Sequence, residues 1–170
     1  LENKLTQKNV GIIGSGSWAT ALAKVLETND VPINWYFRKN EDVEYFNLHH
    51  HNPKYLSEVI FHKNIINCSS DLKKVCENSD ILLIVTPSAF LEDIFNNLGP
   101  QQLLGKIIVN AVKGLIGSHP STISQFLGNL GIKQDDIVGI TGPCHAEEVS
   151  AEKLSFLTFH HISIPRKSLI

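Results

Sequence analysis

VGIIGSGSWATALA, residues Val10–Ala23, decides the fold. Its apolar opening ends in Gly14-Ser15-Gly16-Ser17-Trp18-Ala19 and passes into alternating small and apolar residues that suit a helix. This predicts a strand, a tight turn and a helix N-terminus, which together present free backbone N–H groups to a pyrophosphate. Gly14 permits the turn, and Gly16 lets the backbone approach the phosphates. Ala19 takes the place of the third glycine, where helix and strand pack closely. One GxGxxA match also fits a loop that is merely glycine-rich, so the rest of the chain has to decide.

Strand-like runs alternate with helix-like segments throughout, the pattern of a parallel sheet with helical crossovers. Strands are predicted at Val10–Ile13, Ile33–Phe37, Asn64–Cys68, Ile81–Val85, Lys106–Val112 and Ile137–Ile140. Helices are predicted at Ser17–Glu27, Glu41–Leu48, from the Ser70-Asp71 cap through Glu77, at Ala89–Leu98 and at Ser121–Leu130. The segment up to Lys63 reads as irregular, with Pro53 breaking any period. The continuous ILLIV run at Ile81–Val85 suits a strand covered on both faces.

Candidate functional segments follow the carboxyl ends of these strands: Gly14–Ala19, Arg38, Thr86–Ser88, Lys113-Gly114 and Gly142–Ala146. In open α/β sheets that edge is where ligands bind. Five such segments on one edge argue against coincidence.

Arg38 stands roughly 20 residues beyond the glycines, where many dinucleotide sites place an acid for the ribose 2′-hydroxyl. A guanidinium there can pair with a 2′-phosphate or stack on adenine, favouring NADP or tolerance of NADP and NAD together. Lys113, beside a glycine, could hold a phosphate or polarise a carbonyl. Gly142-Pro143 reads as a helix start with Glu147-Glu148 in its first turn, so the amides of Cys144, His145 and Ala146 could cradle an anion. The alternatives are solvated surface cations and a helix start that serves only the fold.

Other combinations exclude chemistry. Cys144 and His145 are adjacent and diverge on a helix, so they make no nucleophile–base pair. His49-His50-His51 and His160-His161 lack the spacing and carboxylates of a metal site, and no metal is expected. Cys68, Cys76 and Cys144 form an odd set without CxxC spacing, which suits a reducing, cytoplasmic home.

The 170 residues can bury one full core, and a net charge of −2 gives no bulk attraction to nucleic acid or anionic membrane. No run approaches the ~20 apolar residues of a membrane span. The chain opens on Leu1, contains no methionine and stops at Ile170 without an evident closing element, so it reads as a fragment.

Taken together, the segments resemble the NAD(P)-dependent glycerol-3-phosphate dehydrogenases of bacterial type. GSGSWATALA is similar to that family's GxGSWGTALA loop, and INWYFRK to its second strand and basic residue. VTPSAFL resembles VPSxxL, NAVKGL the AxKG motif, and TGPCHAEEVS the SGPSxAxEV signature. The match runs in order from about Val10 to Thr158.

The resemblance implies an α/β, Rossmann-like, doubly wound, mostly parallel sheet with helices on both faces. It implies reversible reduction of dihydroxyacetone phosphate to sn-glycerol 3-phosphate, a precursor of glycerophospholipids. Gly14, Gly16, Ser17, Trp18, Arg38, Pro87, Lys113 and Ala146 would meet the cofactor, NADP or NAD. Lys113, Gly142 and Cys144 would line the substrate site, with Lys113 helping to polarise the carbonyl. The family has Ser or Thr at the Cys144 position, which puts a hydroxyl hydrogen bond in doubt and leaves a backbone contact open.

The family continues into an all-helical substrate domain carrying its general acid/base lysine. That domain is expected to be absent here, with residues 1–158 forming the cofactor domain and 159–170 an atypical tail. Lys153–Thr158 reads as the last strand. Loss of a positioned general acid commonly costs ~10²–10⁴-fold, so weak cofactor binding and little turnover are expected. The uncovered helical face would invite self-association into a homo-oligomer. A non-catalytic dinucleotide-binding module and a ketopantoate or hydroxyacid reductase remain alternatives. Lys113-Gly114 with Gly142–Val149 favours a phosphorylated substrate over the latter.

Overall fold

The computed structural model describes residues 7–116 and 121–161. Seven strands among these residues form one sheet: β1 (Val10–Ile13), β2 (Ile33–Tyr36), β3 (Ile66–Ser69), β4 (Ile81–Ile84), β5 (Ile107–Asn110), β6 (Ile137–Thr141) and β7 (Thr158–His161). Their order is β3-β2-β1-β4-β5-β6-β7. All neighbours run parallel except β6 and β7, which are antiparallel. The chain winds outward from β1 to β3, then crosses back to β4 on the other side of β1. The crevice at this reversal lies between the loops that follow β1 and β4.

Among the described residues, six α-helices connect the strands: α1 (Ser17–Thr28), α2 (Asn40–His49), α3 (Leu72–Glu77), α4 (Leu91–Asn96), α5 (Ile123–Asn129) and α6 (Ala146–Ser150). Alternation within each strand divides the core into two layers, because successive side chains point to opposite faces. Ile12, Ile33, Trp35 and Leu83 pack with Ala19, Leu22 and Ala23 of α1 and with Val43 and Phe46 of α2. Ile13, Leu82, Ile84 and Ile108 face Cys76 of α3, Leu91 and Phe95 of α4, and Leu127 of α5. The sheet is therefore covered on both faces, as the sequence pattern requires.

Trp35 centres an aromatic cluster, with ring centroids 4.8 Å from Phe37, 5.4 Å from Phe46 and 5.6 Å from Phe61. Such pairs contribute about 0.5–1.5 kcal/mol each beyond area burial. Phe61 lies in the segment read as irregular, so this cluster fastens that segment to the sheet.

Three sequence readings need correction. Ala89–Leu98 opens as a 3-10 turn, Ser88–Phe90, before α4 begins at Leu91. Pro143 does not occupy the first position of a helix: α6 starts at Ala146, with His145 as its extended N-cap. The preceding residues are held against the chain further on, since a Cβ at Gly142 would overlap the Phe156 carbonyl oxygen. The Cys144 thiol also donates to that oxygen at 3.2 Å. Finally, the last strand is Thr158–His161 and not Lys153–Thr158. Gly139 stands opposite His160 in this pairing, and Thr141 Oγ1 and His160 Nε2 share a hydrogen bond of 2.6 Å. Of the expected tail at 159–170, residues 162–170 lie outside the described residues.

Candidate nucleotide-binding cleft

The loop after β1 lies at the edge of a cleft of about 660 Å³. This is within the usual size of small-molecule sites. Gly14 and Gly16 line it from below, Arg38 and Lys39 from the end of β2, and Pro87 and Phe90 from the segment after β4. Four residues singled out from the sequence, Gly14, Gly16, Arg38 and Pro87, thus meet in one concavity.

The two glycines have different reasons for being there. Gly14 has φ +126°, and a Cβ would lie 2.7 Å from the Val85 carbonyl oxygen and 2.8 Å from Thr86 Oγ1. That turn admits only glycine on backbone grounds. Gly16 has φ −79°, ordinary for any residue, and a Cβ there would meet nothing within 4 Å. The protein itself makes no demand for glycine at position 16. The open space is where a ligand would approach the backbone.

Gly16 is also the N-cap of α1, with no side chain capping the helix and no acid in its first turn. The other described α-helices each have one or the other: acids in α2, α4 and α6, the Asp71 cap in α3, and the Thr122–Gln125 capping box in α5. The first N–H groups of α1 lack intrahelical partners, and the positive end of the helix has no compensating charge. An anion is the chemical complement of such a terminus.

Side chains hold the loop's carbonyls inward. Trp35 Nε1 donates to the Gly14 oxygen at 2.8 Å, Asn52 Nδ2 to the Ser15 oxygen at 3.0 Å, and Thr20 Oγ1 to the Gly16 oxygen at 3.0 Å. In a planar trans peptide the following N–H points the opposite way. The amides of Ser15, Gly16 and Ser17 are therefore turned away from these anchors. Thr86 Oγ1 donates to the Ile13 oxygen at 3.1 Å and ties the loops after β1 and β4 together.

Arg38 is exposed and joins none of the ion pairs found among the described residues. Asp42, in the first turn of α2 and part of the same lining, is held by Lys54 at 2.6 Å. Arg38 therefore stands on the cleft wall as a cation outside the ion pairs found among the described residues, with Asp93 of α4 as a further acid in the lining. Burial raises the pKa of Tyr36 above its ordinary value, with the Arg38 charge opposing, so its phenol is neutral near pH 7. A glycine-lined anion cradle at one end and a cation beside tyrosines at the other fit a dinucleotide.

The remaining predicted residues lie outside this cleft's lining. Ser17 and Trp18 open α1, Trp18 packing on the core. Lys113 is exposed after β5, where the Asn110 side chain accepts from the Val112 amide at 2.9 Å. Gly114, with φ +94°, brings this turn beside Ser88: a Cβ would sit 3.7 Å from Ser88 Oγ. Lys113 thus shares an edge with the loop after β4. Gly142 and Cys144 pack on Phe156. Ala146 opens α6, which lies along α1.

Sequence reasoning missed Asn52, Trp35 and Thr20 as loop anchors. Each carries a faint signal: Asn-Pro marks a turn, a strand tryptophan needs a partner for its N–H, and a helical threonine can bond four residues back.

Residues 9–164 match the family model for the N-terminus of NAD-dependent glycerol-3-phosphate dehydrogenase. A glycerol-3-phosphate dehydrogenase [NAD(P)+] of Oceanobacillus iheyensis is 30% identical over 160 residues, covering 94% of this chain and 46% of the relative. The solved glycerol-3-phosphate dehydrogenase of Coxiella burnetii superposes with a TM-score of 0.76 at 26% identity, over 90% of this chain and 46% of that one. That of Saccharomyces cerevisiae gives 0.80 at 25% identity, over 95% and 49%. The chain spans about half the length of the curated relatives it matches.

Proposed function

The chain belongs to the family of NAD-dependent glycerol-3-phosphate dehydrogenase N-termini, and from that premise we propose that it supplies the cofactor-binding half of such an enzyme. The reaction is the reversible reduction of dihydroxyacetone phosphate to sn-glycerol 3-phosphate by NADH or NADPH. The observation that carries this reading is the uncapped N-terminus of α1 behind Gly14 and Gly16, in one cleft with Arg38.

The nicotinamide cofactor, when bound, supplies the hydride. This chain's residues bind and orient. The amides at Gly16, Ser17 and Trp18 receive the pyrophosphate charge, and Pro87 borders the path between the loops after β1 and β4. Arg38 takes the adenosine end, where a guanidinium accommodates a 2′-phosphate bidentately. Lys113, on the same sheet edge, is assigned to the substrate's phosphate or carbonyl oxygen and to the nearby cofactor. Gly142, Cys144 and Ala146 border the far side of that space. Engagement of the Cys144 thiol with Phe156 favours a backbone contact with the substrate there.

Among the described residues, no helix is long and apolar enough to cross a membrane. All three cysteines are unpaired, and burial raises the thiol pKa of Cys76 to about 12. Unpaired thiols fit a reducing compartment such as the cytoplasm.

Oxidation of NADH and of NADPH dependent on dihydroxyacetone phosphate, with cofactor affinity titrated on the same sample, tests the proposal. Binding of either cofactor with little turnover supports a cofactor half. Rapid turnover would mean that these residues alone complete the catalytic apparatus. Absence of binding would contradict the assignment.

A further inference from the structure

Asn52 sits in the HNPKY segment between α2 and β3, where the sequence shows no periodicity. It is 1% exposed, yet every hydrogen-bonding capacity of its side chain is used. Its Nδ2 donates to the Ser15 oxygen at 3.0 Å and to Thr20 Oγ1 at 2.8 Å. Its Oδ1 accepts from the amide of Lys54 at 3.0 Å and from that of Tyr55 at 3.2 Å. Thr20 passes the connection on, donating to the Gly16 oxygen. One buried side chain therefore grips two carbonyls of the glycine loop, one directly and one through Thr20. With its other end it fixes the residues that carry Lys54 and Tyr55 onto the cleft wall.

Only an amide of this length fits. Aspartate keeps the two acceptor contacts and loses both donor contacts, while a hydrocarbon loses all four and leaves buried polar groups unpaired.

We propose that Asn52 is a positioning residue for dinucleotide binding: it sets the glycine loop's amides toward the ligand and locks that loop to the part of the cleft wall that carries Lys54 and Tyr55. The proposal rests on the cofactor-binding reading above. It predicts that the donor half of Asn52 governs affinity for the pyrophosphate and that the Thr20 hydroxyl is part of the same device.

The test measures NADH dissociation constants by fluorescence titration, with thermal melts of the ligand-free proteins, for the full chain and its Asn52→Asp, Thr20→Val and Thr20→Ser variants. The expected result is about tenfold weaker binding for Asn52→Asp and for Thr20→Val, each of which removes two of the hydrogen bonds that hold the loop. Thr20→Ser, which keeps the hydroxyl, should stay within about twofold of wild type. If Asn52→Asp fails to fold, the contrast between Thr20→Val and Thr20→Ser decides. Folded Asn52→Asp and Thr20→Val proteins that bind NADH as wild type does would overturn the positioning role alone. So would a Thr20→Ser protein weakened as much as Thr20→Val. Failure of the wild-type chain to bind NADH would overturn the underlying reading, and this inference with it.

Discussion

Gly14 and Gly16 are two residues apart, and the backbone asks different things of them. A Cβ at Gly14 would meet the Val85 carbonyl in a φ region that L residues avoid, so Gly14→Ala should cost about 1–3 kcal/mol of stability. At Gly16 the added methyl meets no protein atom, and the cost is a poorer helix cap, about 1 kcal/mol or less. Gly16→Ala should instead weaken NADH binding. Thermal melts alongside a cofactor titration separate the two outcomes. Arg38 has a different signature. Arg38→Ala should weaken NADPH about tenfold or more, with a smaller effect on NADH, because a bidentate phosphate contact is lost. Paired titrations with the two cofactors check this, and equal losses for both would assign Arg38 to the adenine ring. The glycines and Arg38 were legible because each stands at a fixed offset from a strand that announces itself. Asn52 and Trp35 were not. Their partners Ser15 and Gly14 lie 37 and 21 residues away, and nothing in the local sequence reports such a contact.

At the scale of elements, α1 is pinned at both ends by the segment between α2 and β3. Asn52 acts at its N-terminus. Near its C-terminus Glu27, 2% exposed, accepts from Lys24 Nζ at 2.7 Å and from the amides of His62 and Lys63. Burial on its own would raise the Glu27 pKa, but these donors hold the carboxyl below its ordinary value of 4.5. A carboxylate whose pKa is depressed in the folded state adds stability that is present above its unfolded pKa. That stability is lost as pH falls through the folded pKa. Glu27→Gln should therefore melt lower than wild type at pH 7, and the gap should close below about pH 4.5. Melting temperatures between pH 3 and 7 would show the two curves converging on the acid side. The core strands of the parallel sheet could be read from sequence because strands covered on both faces are continuously apolar. The start of α6 could not, because Gly142-Pro143 looks like a helix opening until Phe156 is seen to occupy the space beside it.

For the whole molecule, the alternation of strands and helices foretold a parallel sheet with helical crossovers and the edge on which the ligand loops gather, while its doubly wound order came from the family resemblance. The direction of β7 did not follow. Thr158–His161 is a short edge strand, exposed over most of its length, and its pairing depends on β6 more than on its own composition. This sheet sets the glycine loop after β1 beside the Arg38 wall after β2, with Pro87 after β4 across the reversal, a crevice in which a dinucleotide can lie. The central claim is that the crevice binds the nicotinamide cofactor through the amides after β1. The most direct test is a titration of the ¹⁵N-labelled chain with NADH, following backbone amide resonances. The largest shifts should fall on Ser15–Trp18 and around Arg38 and Pro87, saturating together with one dissociation constant. Shifts confined to other surfaces, or amides at Ser15–Trp18 that stay still as NADH saturates, would contradict it.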